Sequence, residues 1–184
     1  MPKVDYPKLL TLGRELLLAL GEDPDREGLL DTPRRWADAW QEFIEYQPGN
    51  TETCFTSSTS NQIICISGLS VNSVCEHHLM PFTCRVSIGY IPKDVMLGLS
   101  KFARIAHKFA HQLQVQEQLG MQIADELCRI TGTQDVAVNL NGEHHCMNSR
   151  GIRTSGTMTT FVTRGAFLGQ PEIRAEFLHL VDHR

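Results

Sequence analysis

The chain has 184 residues, 41% of them hydrophobic and 21% charged, which is the make-up of one ordinary globular domain rather than a disordered or fibrous chain. Its formal net charge of −4 excludes a global electrostatic attraction to nucleic acid, so a polyanionic ligand would need a local cluster of cations. The aliphatic run Leu16 to Leu20 is far short of the ~20 apolar residues of a membrane span, and the stretch Met1 to Lys8 has no apolar signal core, so a cytoplasmic protein without membrane attachment is expected.

Leu9, Leu10, Leu12, Leu16, Leu17 and Leu20 lie broadly on one helical face, and Gly21 with Asp23-Pro24 stops that helix. A second helix begins at Asp31-Thr32-Pro33. Thr32 suits the N-cap, and Pro33 suits the first helical position, where its missing N–H would be unpaired anyway. Trp36, Trp40 and Phe43 recur at helical spacing before Pro48-Gly49-Asn50 ends the element, and a Ser/Thr-rich loop runs to about Asn61. Residues 1–60 are therefore expected to form an N-terminal helical region and residues 61–184 the main domain.

The hydrophobic period then changes. Ile63 to Ile66 is a short β-branched run, and Thr83 to Ile91 alternates, with Cys84, Val86, Ile88 and Tyr90 on one face. A helix near Ser100 to His111 has Phe102, Ile105, Ala106 and Phe109 as its buried stripe. A further helix from about Val115 to Ile130 has Leu119, Ile123, Leu127 and Ile130. Val136, Val138 and Leu140 mark a third strand, Thr157 to Thr163 a fourth, and Glu172 to Val181 a closing helix. Hairpin, helix pair and hairpin predict an α+β fold, an antiparallel sheet with helices on one face. Its open edges need cover, which oligomerisation would supply.

Six cysteines are scattered among eight histidines, a pattern that in a cytosolic chain favours metal ligands or free thiols over disulfides. Cys75-Glu76-His77-His78 precedes a strand, and His144-His145-Cys146 follows one. One such cluster is as easily chance as function. Two of them favour a shared metal site, because Cys and His are the ligands zinc prefers. Three protein ligands would leave a fourth position for water, the catalytic arrangement. The two-residue spacer lets Cys75 and His78 turn onto one ion and leaves His77 free as a proton carrier. In an extended segment, alternation would put His144 and Cys146 on one side and His145, read as structural, on the other.

These motifs, with GLSK at 98–101 and Arg104, LQVQEQL at 113–119, HHCMNSRGIR at 144–153, DTPRRWA at 31–37 and EFLHLV at 176–181, together resemble the GTP cyclohydrolase I family over roughly residues 8–182. The resemblance implies a tunnelling fold and a homodecamer with active sites between subunits. It implies zinc held by Cys75, His78 and Cys146, with acid–base roles for His77 and His144. Gln116 and Glu117 match a guanine-recognising pair, and Ser100 a serine near the ribose. Lys101, Arg104, Arg150 and Arg35 match triphosphate contacts. The implied reaction is hydrolysis of GTP to 7,8-dihydroneopterin triphosphate and formate.

Some residues carry a plainer reading. Lys108 is expected on a solvated helix face, and Arg153 is equally an ion-pair partner. Gln118 and Gly120 stand where the family commonly has Arg and Thr, and Gly120 should weaken its helix by up to about 1 kcal/mol. A related hydrolase of another purine nucleotide, such as a deoxynucleotide, is the runner-up. A non-catalytic zinc- or nucleotide-binding homologue is the alternative of another class.

Overall fold

The computed structural model describes residues 3–58 and 61–182. They fall into two compact units, Met1–Gln47 and Pro48–Arg184.

The first unit is a helical hairpin of α1 (Tyr6–Ala19) and α2 (Thr32–Ile44). Asp5 caps α1 by accepting the Lys8 amide at 3.1 Å. Thr32 is not the cap of α2 but its first residue, and Asp31 precedes it without a capping hydrogen bond. The Asp31 carboxylate instead turns to Arg34 and Arg35, at 3.6 and 3.2 Å. The helices meet at Gly13, where a Cβ would come within 3.1 Å of the Pro33 Cα and 3.2 Å of the Trp36 ring. Of the leucines on the expected face, Leu17 is buried while Leu12, Leu16 and Leu20 are exposed, because one neighbouring helix covers only a narrow stripe of α1.

The second unit starts at Pro48, upstream of the expected boundary at residue 61. The reason is that β1 (Cys54–Thr56) pairs antiparallel with β4 (Val95–Leu97). The main sheet contains β2 (Ile64–Cys75), β3 (Met80–Tyr90), β5 (Leu113–Gln114), β6 (Val136–His144) and β7 (Thr157–Thr163) in the order β5-β2-β3-β6-β7. It is antiparallel except for the two-residue parallel pairing of β2 with β5. The strand expected at Ile63 to Ile66 continues to Cys75, because Val71, Ser73 and Cys75 alternate inward beyond a register shift at Ile66/Leu69.

One face of the sheet carries Phe82, Cys84, Val86, Ile88 and Tyr90 of β3 and Val136, Val138 and Leu140 of β6. Against it lie α3 (Leu99–Ala110) and α4 (Gln116–Thr131), which contribute Phe102, Ile105, Ala106, Leu119, Ile123 and Leu127 to the same core. The order β2-β3-α3-α4-β6-β7, with the helix pair on one face, is a tunnelling fold. The closing helix α7 (Pro171–Asp182) is the one departure from helices on a single face. With α6 (Ala166–Gly169) it covers part of the opposite face, where Phe167 and Phe177 pack with Ala137.

Two details tighten the helix layer. A Cβ on Gly120 would lie 2.8 Å from Leu140 Cδ1 and 3.0 Å from Val162 Cγ2, so the residue that weakens α4 locally also lets it sit close on the sheet. Lys108 is exposed, as expected of a solvated helix face, but its charge is paired. Its ammonium meets the buried Glu126 of α4 at 2.7 Å, and Arg129 meets the same carboxylate at 2.8 Å and also reaches Glu52. These bonds hold the Glu126 carboxyl below the usual carboxylate range, Arg129 contributing most.

Candidate active site and metal centre

At Cys75 strand β2 ends and the chain turns back on itself. The amides of His78 and Leu79 both donate to the Cys75 carbonyl, at 3.3 and 2.9 Å. Leu79 takes a φ of +51°, a left-handed conformation costly for a branched side chain. The turn returns His78 so that its Nδ1 lies 3.7 Å from Cys75 Sγ. Strand β6 ends at His144, and the next four residues form the single helical turn α5 (His145–Asn148). Cys146 therefore enters from a helical turn, not from the extended segment whose alternation was expected to aim it. His145 is exposed at the start of that turn.

The ligand atoms of Cys75, His78 and Cys146 all lie within 4.8 Å of one another. Two thiols and an imidazole suit a borderline-soft cation. Burial pushes the Cys146 thiol up, and the neighbouring Cys75 pushes it further. A cation between the sulfurs would relieve both effects, so the donor set fits a metal ion. No disulfide links any of the six cysteines, all of which lie among the described residues.

These donors line an open cleft of about 550 Å³ with Glu76, His77, Gln114, Val115, Gln116, Glu117, His144 and Met158. His77 is exposed beside Glu76, at 3.7 Å. His144 stacks on Phe82, with ring centroids 4.6 Å apart and planes 7° from parallel, the two being cross-strand partners. Burial lowers the His144 pKa, and the Glu117 carboxylate works against that shift. Glu117 lies in the first turn of α4, where the helix dipole favours a carboxylate.

The Gln116 side chain is engaged within the sheet. It is buried, and its Nε2 donates to the carbonyls of Leu140 and Met158 and to Thr160 Oγ1, at 3.3, 2.9 and 3.1 Å. Its Oε1 lies 2.9 Å from His144 Nε2 and 3.6 Å from Cys84 Sγ. The motif places Gln116 correctly beside Glu117, but its side chain turns into the sheet. Of the residues that shape its surroundings, Cys84 was legible only as a strand residue and Phe82 and Gly142 not at all, because their importance arises from pairing across β3 and β6.

The cations distribute differently from the donors. Ser100, Lys101, Arg104 and Arg150 belong to the same unit but do not line the cleft. Arg104 donates to the Pro48 carbonyl at 2.8 Å. Arg150 is exposed just beyond α5, close enough for its charge to favour the Cys146 thiolate. Arg35 lies in the first unit, paired with Asp31.

Three soft donors in an open cleft could hold a metal ion and leave a coordination position free, and an enzyme is the class that this fold and cleft define. Residues 11–182 match the family model described as GTP cyclohydrolase I. The chain is 39% identical over 183 residues to "GTP cyclohydrolase 1" of Hyperthermus butylicus, covering 98% of this chain and 94% of the relative. It is 42% identical over 176 residues to "GTP cyclohydrolase 1 1" of Pseudomonas syringae pv. tomato, covering 91% and 92%. It is likewise 42% identical over 189 residues to "GTP cyclohydrolase 1" of Deinococcus radiodurans, covering 98% and 87%. The chain belongs to the GTP cyclohydrolase I family and is a hydrolase.

Proposed function

We propose that the chain hydrolyses GTP to 7,8-dihydroneopterin triphosphate and formate, with zinc held by Cys75, His78 and Cys146. The observation that carries this reading is the convergence of those three donors, within 4.8 Å of one another, in a cleft also lined by His77, His144 and Glu117. Zinc, when bound, lowers the pKa of water to about 7, so that a nucleophile exists at neutral pH.

The chain's own residues supply the rest. C8 of guanine is a poor electrophile until N7 is protonated, and a histidine with an ordinary pKa near 6.5 gives and takes that proton. His144, held on Phe82, and His77, at the cleft mouth, serve the successive proton transfers. Glu117 is an acceptor-only carboxylate for N1–H and the exocyclic amine of guanine, a pattern adenine does not present.

Lys101, Arg104 and Arg150, with Arg35, bind the triphosphate, and Ser100 lies near the ribose. We read the assembly as a homodecamer in which a neighbouring subunit completes each site. The exposed Leu12, Leu16 and Leu20 of α1 favour such cover. No helix among the described residues is long and apolar enough to cross a membrane, and a cytoplasmic location is in keeping with that.

Incubation of zinc-loaded protein with GTP, followed by assay of formate and of the pterin fluorophore after oxidation, tests the proposal. Both products should appear, and neither should form in verified metal-free protein. Faster turnover of dGTP than of GTP would favour the runner-up substrate. Nucleotide binding without formate would favour a non-catalytic role.

A further inference from the structure

We propose that Gln116 is a positioning residue that holds His144 as its Nε2–H tautomer, with the ring lone pair on Nδ1. The tautomer follows from hydrogen-bond direction alone; its bearing on turnover rests on the function proposed above.

The direction is set by what surrounds the carboxamide. Its nitrogen faces the Leu140 and Met158 carbonyls and the Thr160 hydroxyl. A flipped amide would press Oε1 against the two carbonyl oxygens and take away the N–H donors that those carbonyls now meet. The oxygen must therefore face His144 Nε2 and Cys84 Sγ, at 2.9 and 3.6 Å. An amide oxygen only accepts. Cys84 is a thiol donor, its pKa pushed up to about 12 by burial, and His144 Nε2 must likewise carry hydrogen.

The cradle is shaped for this amide. Cys84 and Gly142 are cross-strand partners. A Cβ on Gly142 would collide with Gln116 Oε1 and come within 2.9 Å of Cys84 Sγ. With Nε2–H committed, the His144 lone pair lies on Nδ1. Stacking on Phe82 fixes the ring plane, and the carboxamide fixes the rotation within it.

The test is solid-state ¹⁵N spectroscopy of histidine-labelled, zinc-loaded protein, with the His144 signals assigned by their loss in His144→Asn. Neutral His144 is expected with Nε2 protonated and Nδ1 bare; the opposite assignment overturns the proposal. Gln116→Met keeps the length but removes the acceptor. It should give mixed tautomers and lower kcat for formate release by about tenfold or more, part of the ~10²–10⁴ due to acid–base groups, with little change in KM for GTP. A raised KM with unchanged kcat would make Gln116 a substrate reader and overturn the proposal, as would no change in either. If the variant does not fold, the wild-type spectrum decides alone. The spectrum does not depend on turnover: an inactive protein with the Nε2–H tautomer refutes the proposed reaction, whereas formate release with the other tautomer refutes the role of Gln116.

Discussion

Gly89 of β3 lies directly beneath the ring of Phe177 of α7, so close that a Cβ on Gly89 would come within 2.5 Å of Cδ2 and 2.7 Å of Cε2. This contact seats the closing helix on the face of the sheet opposite α3 and α4. The ring is fully buried and has Phe161 stacked on one side and Phe167 edge-on, each with centroids 5.8 Å away, so it has nowhere to move. Gly89→Ala should therefore destabilise the fold by about 1–3 kcal/mol, the usual cost of overpacking. Thermal denaturation checks this, and an unchanged melting temperature would mean that α7 shifts freely.

Metal binding and proton transfer should separate by mutation. Cys146→Ser and His78→Ala each remove a donor and should lower zinc content and formate release together. His77→Ala should retain zinc yet lose turnover by about 10²-fold or more. Metal analysis beside the formate assay reads both. Zinc lost in His77→Ala but kept in His78→Ala would show the two histidines' roles reversed.

Glu126 predicts a specific acid sensitivity. Arg129 and Lys108 hold its carboxyl below the usual range, whereas in the unfolded chain it titrates near an ordinary value of about 4.3. The native pairing thus contributes fully above about pH 4.3 and is lost as pH falls through the lower folded pKa. Glu126→Gln should cost less than the ~3–5 kcal/mol of breaking a fully buried pair, because both cations reach solvent. The gap between wild type and variant should narrow below about pH 4. Denaturation curves across pH 3–7 test it, and a gap constant down to pH 3 would contradict the pairing.

Arg150 should be needed for the phosphates and not for the base. Charge-assisted hydrogen bonds contribute roughly 1.5–3 kcal/mol each, so Arg150→Ala should weaken GTP binding by about ten- to a hundredfold. Weak guanosine binding should stay nearly unchanged, and Arg150→Lys should also be impaired because Lys lacks the forked geometry. Equal losses for both ligands would make Arg150 structural. Arg104→Ala is the less clean experiment, since its guanidinium already ties Pro48.

Cys84 should be the slowest thiol to react. It is fully buried with its pKa pushed up to about 12, and the thiolate is the reactive form. Iodoacetamide at pH 8, followed by peptide mass spectrometry, should leave Cys84 unmodified in the native protein and label it on unfolding. Early labelling would show that the cradle around Gln116 opens in solution.

What the sequence determined by itself was local: which residues are soft donors, where apolar positions recur, and where turns interrupt them. Those properties belong to near neighbours in the chain, so the stripes of α3 and α4, the strand Thr157–Thr163 and the donor clusters around Cys75 and Cys146 could be read before folding. The ordered motifs also pointed to the family that the comparisons establish. The tertiary structure decided matters that depend on residues distant in sequence. The domain boundary moves to Pro48 because Cys54 finds Leu97 across the β1–β4 pair. Cys146 reaches Cys75 from a helical turn because β6 ends at His144. Gln116 turns inward because Gly142 has no side chain and Cys84 a small one, and the two face each other across β3 and β6. A motif names the glutamine, but only packing decides whether its amide meets a ligand or, as here, the histidine beside it.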